Sequence, residues 1–433
     1  MNKGLLFLLS LVLAVTSLSA QTLETLPADP FFDTYQPVKA PVTQELLLKK
    51  GDLLAIVGDS ITEQKMYSRI METYLTVCVP QLEISCRQFG WSGETAGGLR
   101  GRLVNDCLRF EPDVATTSYG MNDHHYESFK KKYGDEYYDN TMAVVKMFKE
   151  AGTSVVLGSP GDIAKKPHWQ KKPEYTVEMM SHSLCEFRNI DVKIAQQENV
   201  AFADVFVPML VAGFDAKKMY GEDYAIGGND GVHPDWAGHL VMAYAFLKGL
   251  GLDGNIGTIT MDLANGSATA SEGHKVLGSS KGQAQLESTR YPFCAAGPAN
   301  SFKTIRSGMT LVPFNEELNR LTLTVKNCQA DRYIVSWGDQ QHTYSKEQLA
   351  KGVNLAADYD INPFSEAFKK VDEAVAQKQN YETHQIKDMF HSDEARFDMD
   401  AVVNLTERLR QQKVDNLKKT IKPVTYSIKV VAE

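Results

Sequence analysis

The chain has 433 residues, of which 43% are hydrophobic and 23% charged, and a formal net charge of −8. That composition suits a globular protein of two or three domains and excludes disorder on a large scale. The acidic balance argues against a nucleic-acid partner, since phosphate binding needs basic patches.

The start, "MNKGLLFLLSLVLAVTSLSAQ", sets one lysine before an apolar run from Leu5 to Val15 and small residues up to Ala20. This is the pattern of an export leader cleaved after Ala20, so residues 1–20 are read as a signal peptide. The run is shorter than the roughly 20 residues a membrane span requires, and no later stretch is apolar enough. The expectation is a soluble protein, periplasmic or extracellular, with no membrane span.

From about residue 50 to 250, short apolar runs alternate with longer periodic segments. The pattern predicts strands over 53–57, 82–87, 113–118, 153–158 and 200–205, and helices near 64–77, 96–109, 137–151, 176–198 and 236–250. Such alternation indicates βαβ units and a mainly parallel sheet. Sheets of that kind hold their sites at the C-terminal ends of the strands. The catalytic domain is therefore drawn at 21–252. The glycines of "LGLDGNIG" (250–257) mark its boundary. Beyond them, "GTITMDL", "LNRLTLTVKNC" and "DRYIVSWGDQQHTYS" alternate as half-buried antiparallel strands do, which predicts a β-rich accessory domain over 253–355. Residues 356–433 read as helical, with "VTYSIKVVAE" a candidate last strand returning to the β region. Six cysteines show no metal-binding spacing. Cys294 and Cys328, both later in the chain, could pair; buried free thiols are the equal alternative.

Four short stretches fall where strands should end. "AIVGDSITEQ" (55–64) stops an apolar run at Ser60. A serine there is a weak nucleophile without a base, an orienting group and oxyanion donors. "GWSGETAGG" (90–98) follows the second strand, and Gly93 leaves a backbone N–H free of any side chain. Its glycine spacing matches neither dinucleotide nor P-loop fingerprints. "YGMND" (119–123) ends the third strand with Asn122, a neutral amide donor suited to an oxyanion. "NDGVHPDWAGH" (229–239) sets Asp230 three residues before His233, so a local turn can bring the carboxylate to Nδ1 and leave Nε2 for the serine. Singly these are ordinary turns; their common placement gives them weight.

In that order, "GDSIT", Gly93 in "SGET", "GMND" and "DGVHP" resemble the blocks of the SGNH hydrolases, also called GDSL esterases. The resemblance covers roughly residues 53–250. It implies a flavodoxin-like three-layer α/β/α fold and hydrolysis of an ester, often an acetyl group on carbohydrate. It also implies Ser60 as nucleophile, His233 as general base and Asp230 as its orienting carboxylate, with Ser60, Gly93 and Asn122 as the oxyanion hole and no metal or cofactor. The G-x-S-x-G elbow is absent, and "RQFGWSG" lacks the Asn that often opens the second block. Trp91, His124 and His125 are further candidates for substrate contact, and Trp169 in the basic loop "KKPHWQKKP" for sugar stacking. The partner expected is an acylated carbohydrate or another small ester. Lipase or lysophospholipase activity, a carbohydrate-binding protein with a vestigial site, and a metal-dependent hydrolase using His124, His125, Asp230 and His233 stand as alternatives.

Overall fold

A computed structural model describes residues 22–301 and 303–433, so the leader expected over 1–20 lies outside the described residues. The first five strands are β1 (Leu53–Gly58), β2 (Ser85–Gly90), β3 (Val114–Ser118), β4 (Ser154–Gly158) and β5 (Ala201–Ala203). All their pairings are parallel, in the order β2-β1-β3-β4-β5. Between and after them run α1 (Ser60–Glu63), α2 (Tyr67–Val77), α3 (Ala96–Asp106), α4 (Lys131–Glu150), α5 (Val177–Glu198), α6 (Phe206–Tyr220) and α7 (Trp236–Gly249).

Successive strand residues serve opposite faces, as the pleat requires. Leu54 and Ile56 pack with residues of α2, α6 and α7, whereas Ala55 and Val57 pack with residues of α3 and α4. This is the expected three-layer α/β/α domain with the flavodoxin-like strand order. The chain winds one way from β1 to β2 and the other way from β1 to β3. The crevice between the C-terminal ends of β1 and β3 is thus the switch point where such sheets bind ligands.

Local details depart from the sequence pattern. β2 starts three residues later than expected because Pro80–Leu82 forms a 3-10 turn and Glu83 adopts a left-handed conformation, φ 51°. The helix expected over 64–77 begins only at Tyr67, because Lys65 turns the chain with φ 58°, and the short α1 precedes it at Ser60–Glu63. α6 had no expected counterpart; its Pro208 sits in the first helical turn, where its missing N–H has no intrahelical partner to lose.

Later come β6 (Asn255–Asp262), β7 (Ala268–Ala270), β8 (His274–Ser280), β9 (Gln283–Ser288), β10 (Arg320–Lys326), β11 (Arg332–Trp337), β12 (Gln340–Ser345), β13 (Val353–Asn354) and β14 (Val424–Ala432). They form two sheets, β13-β10-β6-β7 and β12-β11-β14-β9-β8. The antiparallel expectation fails at one pair: β6 and β10 run parallel. The chain between them is long enough to return to the same end, and alternation of side chains does not encode direction. β14 lies inside the second sheet, between β11 and β9. Among the described residues all six cysteines are free, so Cys294 and Cys328 do not pair. The Sγ of Cys294 meets Asn362 Oδ1 at 3.5 Å and that of Cys328 meets Val325 O at 3.8 Å.

The helices of this half are α8 (Ile305–Met309), α9 (Phe314–Glu317), α10 (Lys346–Lys351), α11 (Leu355–Asp358), α12 (Ser365–His384), α13 (Asp393–Phe397) and α14 (Met399–Thr420), with a π-helical turn at Gln385–Met389. α12 and α14 cover β2, the outermost strand of the parallel sheet. Lys378 Nζ and Arg410 Nη2 each donate to Cys86 O at 2.9 Å, and the Gln88 N–H donates to Glu382 Oε2 at 3.2 Å. Buried side chains thus occupy an edge that would otherwise offer open backbone groups. Burial alone would raise the Glu382 carboxyl; Lys378 and Arg410 outweigh it and hold it below the ordinary value. No helix among the described residues is long and apolar enough to cross a membrane.

Candidate active site

β1 ends at Gly58, where a Cβ would lie 2.0 Å from Thr62 Oγ1 and 2.9 Å from Ser118 O, so only glycine allows the turn into α1. Asp59 caps that helix, its Oδ1 accepting the Ile61 N–H at 2.9 Å. Ser60 is then the first helical residue, at the switch point.

Across the crevice, the turn before α7 presents His233, whose Nε2 stands 2.8 Å from Ser60 Oγ. His233 Nδ1 is 2.8 Å from Asp230 Oδ2. The other Asp230 oxygen accepts the backbone N–H groups of Val232 and His233, both at 2.9 Å. Burial alone would raise the Asp230 carboxyl. The two N–H bonds and the imidazole outweigh it and hold the group below the ordinary carboxylate value. An ionised carboxylate only accepts, so the imidazole proton sits on Nδ1 and the Nε2 lone pair faces the Ser60 hydroxyl. The arrangement can take the proton from Ser60 Oγ as that atom attacks an electrophile. Two glycines shape the turn: a Cβ at Gly228 (φ +77°) would lie 1.9 Å from His233 O, and one at Gly231 (φ +85°) 1.9 Å from Lys165 O.

Three candidate donors lie on the loops at this end of the sheet. Among the described residues the N–H groups of Ser60 and Gly93 have no intramolecular acceptor. The loop after β2 begins beside Ser60, since the Trp91 N–H donates to Gly58 O at 2.9 Å. Asn122 Nδ2 donates to Glu94 O at 2.9 Å, and its Oδ1 accepts from the Tyr126 hydroxyl at 3.1 Å. One amide hydrogen is left over, and the amide's orientation is set from both ends.

Beneath the serine lies a set of buried acids. Burial pushes Asp59 up to about 7, reinforced by Asp123 and Glu94 and opposed by the Ile61 N–H. Burial likewise pushes Asp123 up to about 6, against bonds from the Ala96 and Gly120 N–H groups. Both act as acceptors for backbone N–H groups at helix starts and turns. Arg102 binds both oxygens of Glu94, at 2.6 Å each, and donates to Phe89 O at 2.9 Å.

The remaining candidates are placed variously. Trp91 is not an open platform: its ring meets His391 edge-on at 4.8 Å and lies under Arg102 and Lys387. His124 is fully buried rather than a cleft residue. Its Nδ1 donates to Met121 O at 2.7 Å, and burial pushes its pKa down to about 4, so it is neutral. His125 is exposed and packs on Tyr133, ring centroids 4.1 Å apart. The side chains of His124 and His125 bond to none of Ser60, Asn122 and His233. Among the described residues no three His, Cys, Asp or Glu side chains are grouped to hold a metal. Trp169, 38% exposed, stands with its ring centroid 6.3 Å from that of His233 and edge-on to Tyr126 at 5.5 Å. Sequence reasoning missed Tyr126, Glu63 and Lys387. Glu63 lies within the first block and carried a signal; Lys387, 324 residues away, carried none.

Residues 56–241 match the GDSL-like lipase/acylhydrolase family. The chain is similar to an acetylxylan esterase of Geobacillus stearothermophilus, 26% identical over 226 residues that span 47% of this chain and 95% of the relative. Its fold is shared with a gut microbial diltiazem-metabolizing enzyme, BT4096, at a TM-score of 0.70 and 22% identity, over 91% of this chain and 100% of that one. A parallel sheet in this order, a serine at its switch point and a family match over the same span make residues 56–241 a domain of the SGNH, or GDSL-like, esterase/acylhydrolase family, and the protein a carboxylic ester hydrolase.

Proposed function

We propose that this protein is an exported serine esterase that removes small acyl groups, O-acetyl above all, from carbohydrate. The observation that carries the reading is the line of hydrogen bonds Ser60 Oγ, His233, Asp230, each step 2.8 Å, at the sheet's switch point.

On this reading Ser60 Oγ attacks the ester carbonyl while His233 Nε2 takes its proton. Asp230 keeps the imidazole in the required tautomer and stabilises the imidazolium. The carbonyl oxygen becomes an oxyanion against the Ser60 and Gly93 N–H groups and the spare Asn122 amide hydrogen. His233 returns the proton to the departing alcohol, leaving an acyl-Ser60 ester. A water, deprotonated by the same imidazole, then releases the acid and restores the serine. The route needs no metal or organic cofactor.

Two observations favour carbohydrate as the alcohol. The acetylxylan esterase relative aligns over nearly its whole length. Trp169 offers an exposed aromatic face beside His233, the surface on which a pyranose stacks. Export rests on the leader pattern of residues 1–20. The test is acid release from p-nitrophenyl acetate, butyrate and octanoate, acetylated xylan, acetylated pectin and a phospholipid, by the parent and Ser60→Ala. Acetate release from the glycans by the parent alone is expected. Activity that rises with acyl length, or that survives in Ser60→Ala, overturns the reading.

A further inference from the structure

Gly93 is not crowded on its Cβ side: its φ is +74°, and apart from its chain neighbours no atom lies within 4 Å of where a Cβ would stand. Its N–H is aimed instead by bonds to the residues just before it. The Trp91 N–H donates to Gly58 O at 2.9 Å, and the Ser92 N–H donates to Glu63 Oε2 at 2.5 Å. Only the two soft torsions of Ser92 separate that second anchor from the Gly93 N–H.

The anchor is itself held from the far end of the chain. Lys387, in the π-helical turn after α12, places Nζ 2.8 Å from both oxygens of Glu63. The same Nζ lies 5.3 Å over the Trp91 ring, the residue that opens the loop. Both side chains are mostly shielded, 24% and 20% exposed, so the ion pair is less screened than a surface one. Burial alone would raise the Glu63 carboxyl; Lys387 and the Ser92 N–H outweigh it and keep the acceptor charged. Without the ammonium, Glu63 keeps its bonds to Ser92 and the nearby charge of Lys65 but loses the group that grips both its oxygens, and it is freer to turn toward water.

We propose that Lys387 is a positioning residue for turnover: by fixing the Glu63 carboxylate it sets the Ser92 peptide and, through it, the direction of the Gly93 N–H. The inference rests on the reading of Gly93 as an oxyanion donor. It makes the C-terminal helical region part of the catalytic framework rather than an appendage to it.

The experiment compares Lys387→Met, Lys387→Arg, Glu63→Gln and Asp372→Asn with the full-length parent. The readouts are kcat and KM on p-nitrophenyl acetate, the rate of inactivation by a p-nitrophenyl phosphonate (which also forms an oxyanion), and Tm. Lys387→Met is expected to lose about 10–100-fold in kcat, and in phosphonylation rate to match, with KM within about twofold. Lys387→Arg restores most of both. Glu63→Gln, which loses the ion pair but keeps an acceptor for Ser92, falls between and stands in if Lys387→Met does not fold. Asp372 bonds neither Glu63 nor the loop, and Asp372→Asn loses the charge and the second oxygen that pair with Arg69, which weakens the tie of α12 to α2. It lowers Tm and leaves kcat unchanged. Parental kcat in Lys387→Met and Glu63→Gln overturns the proposal, as does an equal loss of kcat in Asp372→Asn. Ser60→Ala in the same assay separates the two levels. If it is active, the esterase reading fails; if it is inactive while Lys387→Met is unimpaired, only the positioning role fails.

Discussion

Asp230→Asn changes one oxygen for an NH₂ group and little else, and the structure dictates which way round the amide sits. One carboxylate oxygen accepts two backbone N–H bonds at 2.9 Å, from Val232 and His233. The asparagine oxygen must keep that place, since turning the NH₂ toward two donors would leave both unsatisfied, at about 1–3 kcal/mol each. The NH₂ therefore faces His233 Nδ1 across the 2.8 Å contact and forces it to accept. The imidazole proton moves to Nε2, where it blocks transfer from Ser60 Oγ. A wrong tautomer in this kind of relay lowers kcat by on the order of 10⁴, equivalent to about 5.5 kcal/mol of transition-state stabilisation. Because the turn keeps its backbone bonds, Tm stays within a few degrees. Asp230→Ala, which orphans both N–H groups, loses activity and stability together. The assay is kcat on p-nitrophenyl acetate at pH 8 with Tm measured on the same samples. A kcat for Asp230→Asn within about 30-fold of the parent, with the fold intact, refutes the tautomer argument.

Asn122→Ala removes the spare amide hydrogen and should lower kcat by about 10²–10³ with KM little changed, read by steady-state kinetics on the same ester. Asp59→Asn tests the buried acid beneath the serine. Burial raises Asp59 from 3.8 to about 7, so the native state favours the neutral form. Its contribution to stability is fully present below the unfolded value and is lost as pH rises from about 4 to about 7. Asparagine stays neutral throughout, so the variant should gain on the parent across that window and hold the gain above it. The gain reaches at most about 4 kcal/mol, since each tenfold change in acid strength is worth about 1.4 kcal/mol. Urea midpoints at pH 5 and pH 8 measure it, and a difference that is the same at both values contradicts the assignment.

Local chemistry was legible in the sequence because it depends on neighbours in the chain. Alternating apolar runs and periodic segments encode strands and helices through side-chain spacing. Asp230 and His233 are three residues apart, so a single turn suffices to pair them. Even there, the left-handed Glu83 and Lys65 shifted boundaries that the pattern alone could not place, and α6 was not expected at all.

What the tertiary structure decided is whatever joins distant segments. Ser60 and His233 are 173 residues apart and meet only because the sheet order puts β1 beside the crevice that α7 opens onto. His124 looked like a loop residue and is a buried neutral ring; Trp91, a candidate for substrate contact, is half-buried against His391 and Lys387 of the C-terminal region. Neither placement is written in the residues beside them, because exposure is a property of what packs on top. The parallel pairing of β6 with β10 and the bond from Lys387 to Glu63 are of the same kind. Periodicity and turn chemistry act over a few residues and can be read along the chain, whereas contacts across hundreds of residues exist only once close packing has brought the layers together.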